Sequence, residues 1–360
     1  MRLFTSCIAH RFAFVSLCLT VLLLASCRND APKNIIFLIG DGMGMPQMAA
    51  AYTTNHGQLN MHRCPYVGLS CTTCANALIT DSGAGGTALA GGQKTNLGCI
   101  GVDTLGNPLP SLLAQTKTFG KRTGISVVCR LCDATPADFC CHSASRYDYD
   151  DIIADYLESG VDYIAGGGMY FFTNRQDGRN IFSEMGEAGY HLASTPEELY
   201  ALDELPVCAV LADSEYVVAP QRGDLFVRQT MQAVRMLDNS CGFVLMVEGS
   251  CIDDWCHANV AERVIAETLD FDQVVGAVLD WAEKDGETLV VITADHESGG
   301  MVLEDGDLST GETECSFANE GHSNCFVPVY AYGPGADQFT GVMQNAELSQ
   351  RISRLLKGDL

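Results

Sequence analysis

Basic residues are scarce in this sequence: 21 Lys and Arg stand against 45 Asp and Glu, which gives a net charge of −24. A surface this acidic repels the phosphates of DNA and RNA, so nucleic-acid binding is excluded as a function. An anionic ligand would need a local cationic site, and bound metal ions are the usual means of building one.

Charged residues are also few, at 18% of the 360 residues, while hydrophobic residues make up 47%. A chain this apolar can bury a core and does not remain disordered. No apolar run after residue 26 is long enough to span a bilayer, and neither an internal repeat nor the spacing of a phosphate-binding P-loop occurs. These absences indicate a folded protein that a membrane could only anchor.

The amino terminus has the pattern of an export signal. Two arginines precede an apolar run over residues 12–25, and the sequence LASC that ends at Cys27 resembles a bacterial lipobox. In that interpretation Cys27 carries a lipid anchor, whereas ordinary cleavage after a small residue would release a soluble exported protein. We therefore predict a signal peptide at residues 1–26 and a single domain over residues 27–360, exported as a periplasmic or outer-membrane-anchored lipoprotein.

The chain has 17 cysteines, of which 14 follow the lipobox. An oxidising compartment would allow disulfides. Cys71 and Cys74, like Cys129 and Cys132, have the internal spacing of a zinc ribbon, but the two pairs lie too far apart in sequence to form one. About half of the cysteines lie in apolar runs, where a cysteine is usually a small buried hydrophobic residue.

Apolar, β-rich runs alternate with helical patterns along the chain. Strands are predicted at 34–40, 124–129, 242–249, 288–295 and 325–333, and helices at 82–91, 149–160, 225–238, 271–286 and 346–358. Strands that are apolar on both faces and separated by helices indicate an α/β fold with a large, mainly parallel central sheet covered on both sides. Residues 297–321 are polar and acidic, and they are predicted to be a short excursion between the last two strands.

Side chains that suit metal ions follow three of these strands. Asp41 follows the first strand, Glu248 lies at the end of the third, and Asp295 and His296 lie at the end of the fourth. Ligands bind beyond the carboxyl ends of the strands in such a sheet, so these groups should meet at one edge. A single Asp after a strand is commonly only a helix cap or a turn residue. The agreement of three strand ends favours a binding site.

The segment EGSCIDDWCH adds two further candidates. Asp253 and His257 are four residues apart and would share one face of a helix, which suits two ligands of one ion. The alternative is a solvated acidic turn followed by a helix that Asp254 caps. His322 lies just before the last predicted strand. A lone histidine is more often structural, so His322 is a candidate only because the other candidate ligands are present.

A nucleophile and an anion-binding group are also present. Ser82 begins a helix of small residues, where the helix N-terminus favours an anion, although a helix cap would explain the same pattern. Farther along, Asp133 and Thr135 precede a predicted helical turn at Pro136, and they could be capping residues. Arg146 has the planar fork that binds two phosphate oxygens.

Six motifs, taken in their order, resemble the alkaline phosphatase family and span nearly the whole chain after the leader. They are IIFLIGDGMG (35–44), TDSGAGGTALAGGQKT (80–95), DATPADFCCHSASR (133–146), EGSCIDDWCH (248–257), TADHESGG (293–300) and GHSN (321–324). The resemblance implies a three-layer α/β/α sandwich, usually a homodimer, that hydrolyses small-molecule phosphate monoesters. It also implies a phosphoserine intermediate on Ser82, with Arg146 binding the phosphate.

The resemblance further implies two zinc ions and one magnesium ion per chain. The ligands of the first zinc ion would be Asp253, His257 and His322. Those of the second would be Asp41, Asp295 and His296. Those of the magnesium ion would be Asp41, Thr135 and Glu248, with Asp133 binding its water molecules.

The sequence departs from the family pattern at a few positions. Asp254 stands where some members carry a Lys or His near the bound phosphate, and Cys251 and Cys256 flank Asp253. The short excursion at 297–321 indicates a reduced dimer interface. Two other interpretations are a hydrolase of phosphodiesters, phosphonates or sulfate esters with the same metal framework, and a metal-binding surface lipoprotein without turnover. A structural protein stapled by disulfides is a third.

Overall fold

One ten-stranded β-sheet forms the middle layer of the molecule. The structure is a computed structural model that describes residues 31–358; the predicted signal peptide and Cys27 lie outside the described residues. The strands, in chain order, are β1 (Asn34–Gly40), β2 (Tyr66–Cys71), β3 (Arg122–Arg130), β4 (Tyr163–Gly167), β5 (His191–Ala193), β6 (Val207–Val210), β7 (Phe243–Gly249), β8 (Thr288–Thr293), β9 (Glu297–Ser298), β10 (Met301–Asp307), β11 (Glu312–Phe317), β12 (His322–Ser323), β13 (Val327–Tyr332) and β14 (Gly341–Gln344).

Helices cover the sheet on both sides. In chain order they are α1 (Met45–Thr54), α2 (Ser82–Gly91), α3 (Leu112–Lys117), α4 (Ala134–Cys140), α5 (Tyr149–Ser159), α6 (Met169–Thr173), α7 (Ile181–Glu187), α8 (Pro196–Ala201), α9 (Ala219–Arg222), α10 (Leu225–Leu237), α11 (Cys251–His257), α12 (Ala261–Asp285) and α13 (Asn345–Lys357). Two short 3₁₀ helices span Asn60–Arg63 and Ala336–Phe339.

The sheet is mainly parallel, as predicted. Its strand order is β14-β2-β13-β8-β1-β7-β3-β4-β6-β5, and only β13 runs antiparallel to its two neighbours, β2 and β8. The strand β1 lies between β7 and β8, with Ile39 paired to both Glu248 and Thr293. The carboxyl ends of these three strands therefore adjoin in the middle of the sheet.

Alternation of side chains along the buried strands creates two hydrophobic cores. In β1, Ile36 and Leu38 belong to the core that α1, α10 and α12 cover, whereas Ile35, Phe37 and Ile39 belong to the core that α2, α5 and α13 cover. All five side chains are fully buried, and burial of each contributes about 1.5–3 kcal/mol. Two cores on opposite faces of one sheet make the α/β/α sandwich.

Most predicted elements are found with small shifts at their ends, but one helix is longer than predicted. The helix expected at 271–286 begins ten residues earlier, as α12. Its first part carries Glu267 and Asp270, which are buried because Arg222 from α9 pairs with both. A charged pair at buried positions interrupts the apolar pattern, so the pattern alone places the start of the helix too late.

The region predicted as an excursion, residues 297–321, contains β9, β10 and β11. The strands β10 and β11 form an antiparallel hairpin, and β9 pairs with β12. Between residues 31 and 358, no helix combines the length and the apolar character needed to cross a membrane. The 14 cysteines of this part of the chain are all unpaired thiols, and eight are buried, as their apolar surroundings predicted.

The buried ion cluster predicts a large effect on stability. The Arg222 side chain is fully buried, and its Nε lies 2.9 Å from Asp270 Oδ2. Arg222→Met leaves two buried carboxylates without a cation, so we expect the free energy of unfolding in urea to fall by about 3–5 kcal/mol. The control is Arg179→Met, which breaks a solvent-exposed pair with Glu184 and should lower the free energy of unfolding far less. Equal losses in the two variants would contradict this account of α12.

Candidate active site

Three carboxylates meet where β1, β7 and β8 end. Asp41, Glu248 and Asp295 are 7%, 1% and 0% exposed, so they are crowded together away from solvent. Burial and the charges of neighbouring carboxylates raise the pKa of Asp41 well above its ordinary value. The same causes raise the pKa of Glu248 to about 8 and that of Asp295 to about 7. A group of carboxylates like this is stable in its charged form only beside a cation.

The first group of possible metal ligands is Asp41, Asp295 and His296. One ligand atom from each lies within 4.8 Å of the others. His296 Nε2 is 3.1 Å from Asp295 Oδ2 and 3.5 Å from Asp41 Oδ1. Burial lowers the pKa of His296 well below its ordinary value, which keeps the imidazole in the neutral form that binds metals.

The second group is Asp253, His257 and His322. His257 Nε2 lies 3.1 Å from Asp253 Oδ2, and His322 Nε2 lies 3.2 Å from His257 Nε2 and 3.6 Å from Asp253 Oδ1. The hydrogen bond that His257 Nε2 donates to Asp253 raises the pKa of His257 to about 9. The helix α11 places Asp253 and His257 on one face, as predicted. Its N-cap is Ser250, so the alternative in which Asp254 caps the helix is wrong.

Backbone carbonyls orient the two histidines of this group. His322 Nδ1 donates a hydrogen bond to the Thr80 carbonyl at 2.8 Å, and His257 Nδ1 donates one to the Glu320 carbonyl. A carbonyl only accepts, so Nδ1 carries a proton in both rings and Nε2 is the atom left for a metal ion, which would displace the proton that His257 Nε2 shares with Asp253. The His322 ring also stacks on His296, with centroids 3.6 Å apart, so the two groups of ligands are adjacent.

Buried polar atoms without partners mark where cations would fit. Asp41 Oδ1, Asp295 Oδ2 and Thr135 Oγ1 are buried and make no hydrogen bond. An unsatisfied buried oxygen is costly, and a metal ion would satisfy each of these three. The donor set of carboxylate oxygens, a threonine hydroxyl and imidazole nitrogens suits magnesium and zinc. The residues present therefore fit the three metal ions that the resemblance implies.

Ser82 lies beside these ligands at the start of α2. Its Oγ is 3.2 Å from His296 Nε2, and the residue is 4% exposed. The N-cap of the helix is Asp81, which accepts a hydrogen bond from the Ala84 amide. The glycines that follow allow the close packing: a Cβ on Gly85 would lie 3.2 Å from the Asp295 carbonyl, so the helix N-terminus can sit directly on the β8 end.

Arg146 lies near Ser82, and an ion pair with Asp81 fixes its position. Arg146 Nη1 lies 3.0 Å from Asp81 Oδ2, and the guanidinium is only partly exposed. Asp81 therefore has two functions, as the cap of α2 and as the partner of Arg146. The sequence pattern allowed for an Asp or Ser cap at this helix, and Asp81 is that cap, but its contact with Arg146 was not predicted.

Asp133 lines the site, but its carboxylate faces a residue that sequence analysis missed. Arg130 donates from Nε to Asp133 Oδ2 at 3.1 Å and from Nη2 to Oδ1 at 2.6 Å. Both oxygens of Asp133 are thus engaged in an ion pair, and its predicted role of binding magnesium-bound water remains a prediction. The signal for Arg130 was its position at the end of β3, the strand beside β7.

The flanking cysteines are not arranged as metal ligands. Cys251 and Cys256 are buried, and burial raises the pKa of both thiols. Among residues 31–358, neither belongs to a cluster of three or more ligand atoms. Cys129 is the nearest thiol to the carboxylates, because its Sγ donates to Glu248 Oε2 at 3.4 Å.

A polar cavity of about 210 Å³ joins these groups. Its lining includes side chains from both ends of the predicted site, namely Asp41, Ser82, Cys129, Arg130, Asp133, Thr135, Arg146, Glu215, Glu248, Asp253 and Asp254. Asp41, Ser82, Thr135 and Glu248 are buried, whereas Arg130 is half-buried and Asp254 is exposed. A nucleophile, a guanidinium and metal ligands thus surround a space that can hold a phosphate group.

Comparisons with known proteins identify the family to which the chain belongs. The family model described as alkaline phosphatase matches residues 32–314. Alkaline phosphatase 4 of Bacillus subtilis is 30% identical over 90% of this chain and 89% of its own length, and the Escherichia coli alkaline phosphatase is 28% identical over 89% of this chain and 85% of its own.

Solved structures give the same result. The alkaline phosphatase of the Antarctic bacterium TAB5 has a TM-score of 0.86 and 32% identity, covering 91% of this chain and 98% of that one. A variant of that enzyme was solved with Mg bound in its M3 site. The chain belongs to the alkaline phosphatase family, and it is an enzyme that hydrolyses phosphate monoesters.

Proposed function

We propose that hydrolysis proceeds through a phosphoserine on Ser82, at a centre of two zinc ions and one magnesium ion. The observation that carries the proposal is the 3.2 Å distance between Ser82 Oγ and His296 Nε2, because His296 is a proposed zinc ligand. The covalent intermediate divides one difficult displacement at phosphorus into two easier ones.

The assignment of the metals follows the two groups of ligand atoms and the unsatisfied oxygens. Asp253, His257 and His322 would hold one zinc ion, and Asp41, Asp295 and His296 the other. The magnesium ion would be held by Asp41, Thr135 and Glu248. When bound, such ions lower the pKa of coordinated hydroxyls and neutralise charge that develops on the oxygens at phosphorus. With Arg146, three divalent cations would outweigh the five carboxylates assigned to the metal ions, namely Asp41, Asp133, Glu248, Asp253 and Asp295, and favour a phosphate dianion.

The side chains of this chain do the remaining work. Arg146 donates to two non-bridging oxygens of the phosphate, and the amides at the N-terminus of α2 favour the same negative charge. Deprotonated Ser82 Oγ forms a bond to phosphorus while the bond to the ester oxygen breaks, and the alcohol leaves with a proton. Water then attacks phosphorus, breaks the bond to Ser82 Oγ and releases inorganic phosphate.

We also propose the location and the assembly that the sequence predicts. The leader and the lipobox favour an exported protein that a lipid on Cys27 anchors to a membrane. Resemblance to a family of homodimers favours a homodimer with a small interface, because the excursion at 297–321 is short.

Replacing Ser82 tests the intermediate. Ser82→Ala removes the only proposed acceptor, so covalent labelling by [³²P]phosphate after an acid quench should disappear and kcat should fall by at least about 10³-fold. Ser353→Ala, which changes a serine of α13 that contacts Gln115, should keep both labelling and turnover. Labelling of another residue at the wild-type rate in Ser82→Ala would contradict the proposal.

Removing the metals tests the ligand assignment. A strong chelator should abolish turnover, and zinc with magnesium should restore it, since the ligand atoms remain in place. His257→Ala should contain about one zinc ion fewer per chain by elemental analysis, because one of three protein ligands is lost. The control is His142→Ala, at an exposed histidine outside the cavity, with unchanged metal content. Full activity after complete chelation would count against a metal centre.

A panel of substrates separates monoesterase activity from its nearest alternative. We expect kcat/KM for an aryl phosphate to exceed that for an aryl phosphodiester and an aryl sulfate by more than about 10³-fold, since three cations and Arg146 favour a dianion. The comparison uses the same aryl leaving group throughout. Faster turnover of the diester or the sulfate would contradict the proposal and show that the enzyme acts mainly on that class of substrate.

A further inference from the structure

An aromatic cluster borders the cavity, and nothing in the chemistry above uses it. We define the aromatic shelf as Tyr147, Tyr149, Tyr170 and Phe171. Ring centroids are 6.5 Å apart for Tyr147 and Tyr149, 5.1 Å for Tyr149 and Phe171, and 5.4 Å for Tyr170 and Phe171, all in edge contact. Tyr147 and Tyr170 are 71% and 55% exposed, whereas Tyr149 and Phe171 pack against one hydrophobic core, so the shelf presents two exposed rings on a base of two partly buried ones.

Arg130 connects the aromatic shelf to the cavity. Its Cζ lies 5.4 Å from the Phe171 ring centroid and 5.9 Å from that of Tyr149. The same guanidinium lines the cavity with Ser82 and is fixed by Asp133. A group that extends from the bound phosphate past Arg130 therefore reaches the aromatic rings.

The backbone conformation before α6 allows the aromatic shelf to approach Arg130. Gly168 has φ +98° and precedes α6, and a Cβ at this position would lie 3.1 Å from the Cβ of Arg130. Glycine therefore lets α6 lie against Arg130, with the Phe171 ring beside the Arg130 guanidinium. From the other side, Tyr147 directly follows the phosphate-binding Arg146.

Carboxylates near Arg130 limit the kind of substrate group that the aromatic shelf can bind. Asp133 neutralises Arg130, and Glu215 and Asp254 also line this part of the cavity. A second anionic group on the substrate would meet more negative than positive charge there. Exposed tyrosine rings instead offer faces for stacking and hydroxyls for hydrogen bonds, which suits a neutral planar ring.

We propose that the aromatic shelf binds the leaving group of the substrate, and that it favours phosphate monoesters of alcohols that carry a neutral planar ring, such as nucleosides. The inference rests on the proposed function, because the shelf acts on a substrate only if the phosphate lies beside Ser82. It deepens that function by naming a substrate class.

Two substrates with matched ester chemistry test the inference. Adenosine 5′-monophosphate and ribose 5-phosphate are both primary alkyl phosphates, and they differ in the planar base. With the metal-loaded full chain, we expect kcat/KM to be about tenfold higher for the nucleotide, as stacking on an aromatic side chain can supply this preference. The ratio should fall to near one in the double variant Tyr147→Ala and Tyr170→Ala.

The matched control is Phe119→Ala. Phe119 is 42% exposed, but it lies just before the amino end of β3, whereas Arg130 lies at the carboxyl end. This variant should keep the wild-type ratio. Equal kcat/KM for the two substrates in the wild type, or a preference that survives in the double variant, would overturn the shelf and leave phosphomonoester hydrolysis intact. No turnover of either substrate, or of an aryl phosphate, would overturn the proposed function as well.

Discussion

Repulsion among buried carboxylates is the constraint on which the active site depends. Asp41, Glu248 and Asp295 lie away from solvent at adjoining strand ends, and the pKa of each is raised. In the absence of cations these groups would hold protons near neutral pH, and the crowding would cost stability. Under the proposed assignment, bound divalent ions would remove this cost and convert an acidic edge into a positive site. A protein with a large negative net charge could therefore bind a phosphate dianion at this site, because the site itself would be positive.

The order of the strands creates the edge of the sheet at which the buried carboxylates meet. The strand β1 is flanked by β7 and β8, so three consecutive strand ends in space carry ligands that are far apart in sequence. Two hydrophobic cores fix the strands from both sides, and the positions of the ligands follow from the sheet register. Two groups of the site come from outside the sheet. Ser82 lies at the N-terminus of α2, and Arg146 lies in a loop, where its position depends on Asp81.

Local pattern was enough to predict five strands, a mainly parallel sheet and several candidate ligands, but not the buried strands β4 and β6. The strand β1 and the helix α2 coincide with the predicted ranges, because one is apolar throughout and the other is a run of small residues after a cap. Contacts that depend on distant partners could not be predicted in this way. The start of α12 depends on Arg222, and the orientation of Asp133 depends on Arg130. The aromatic shelf likewise becomes a unit only when α6 and the start of α5 meet.

Anomalous diffraction from crystals of the metal-loaded protein, recorded on both sides of the zinc absorption edge, tests the central claim most directly. The account predicts two strong zinc peaks, one among Asp253, His257 and His322 and one beside Asp41, Asp295 and His296, with Ser82 Oγ within coordination distance of the second. Absence of zinc from these positions, or a Ser82 hydroxyl more than about 10 Å from the second peak, well beyond coordination reach, would contradict it.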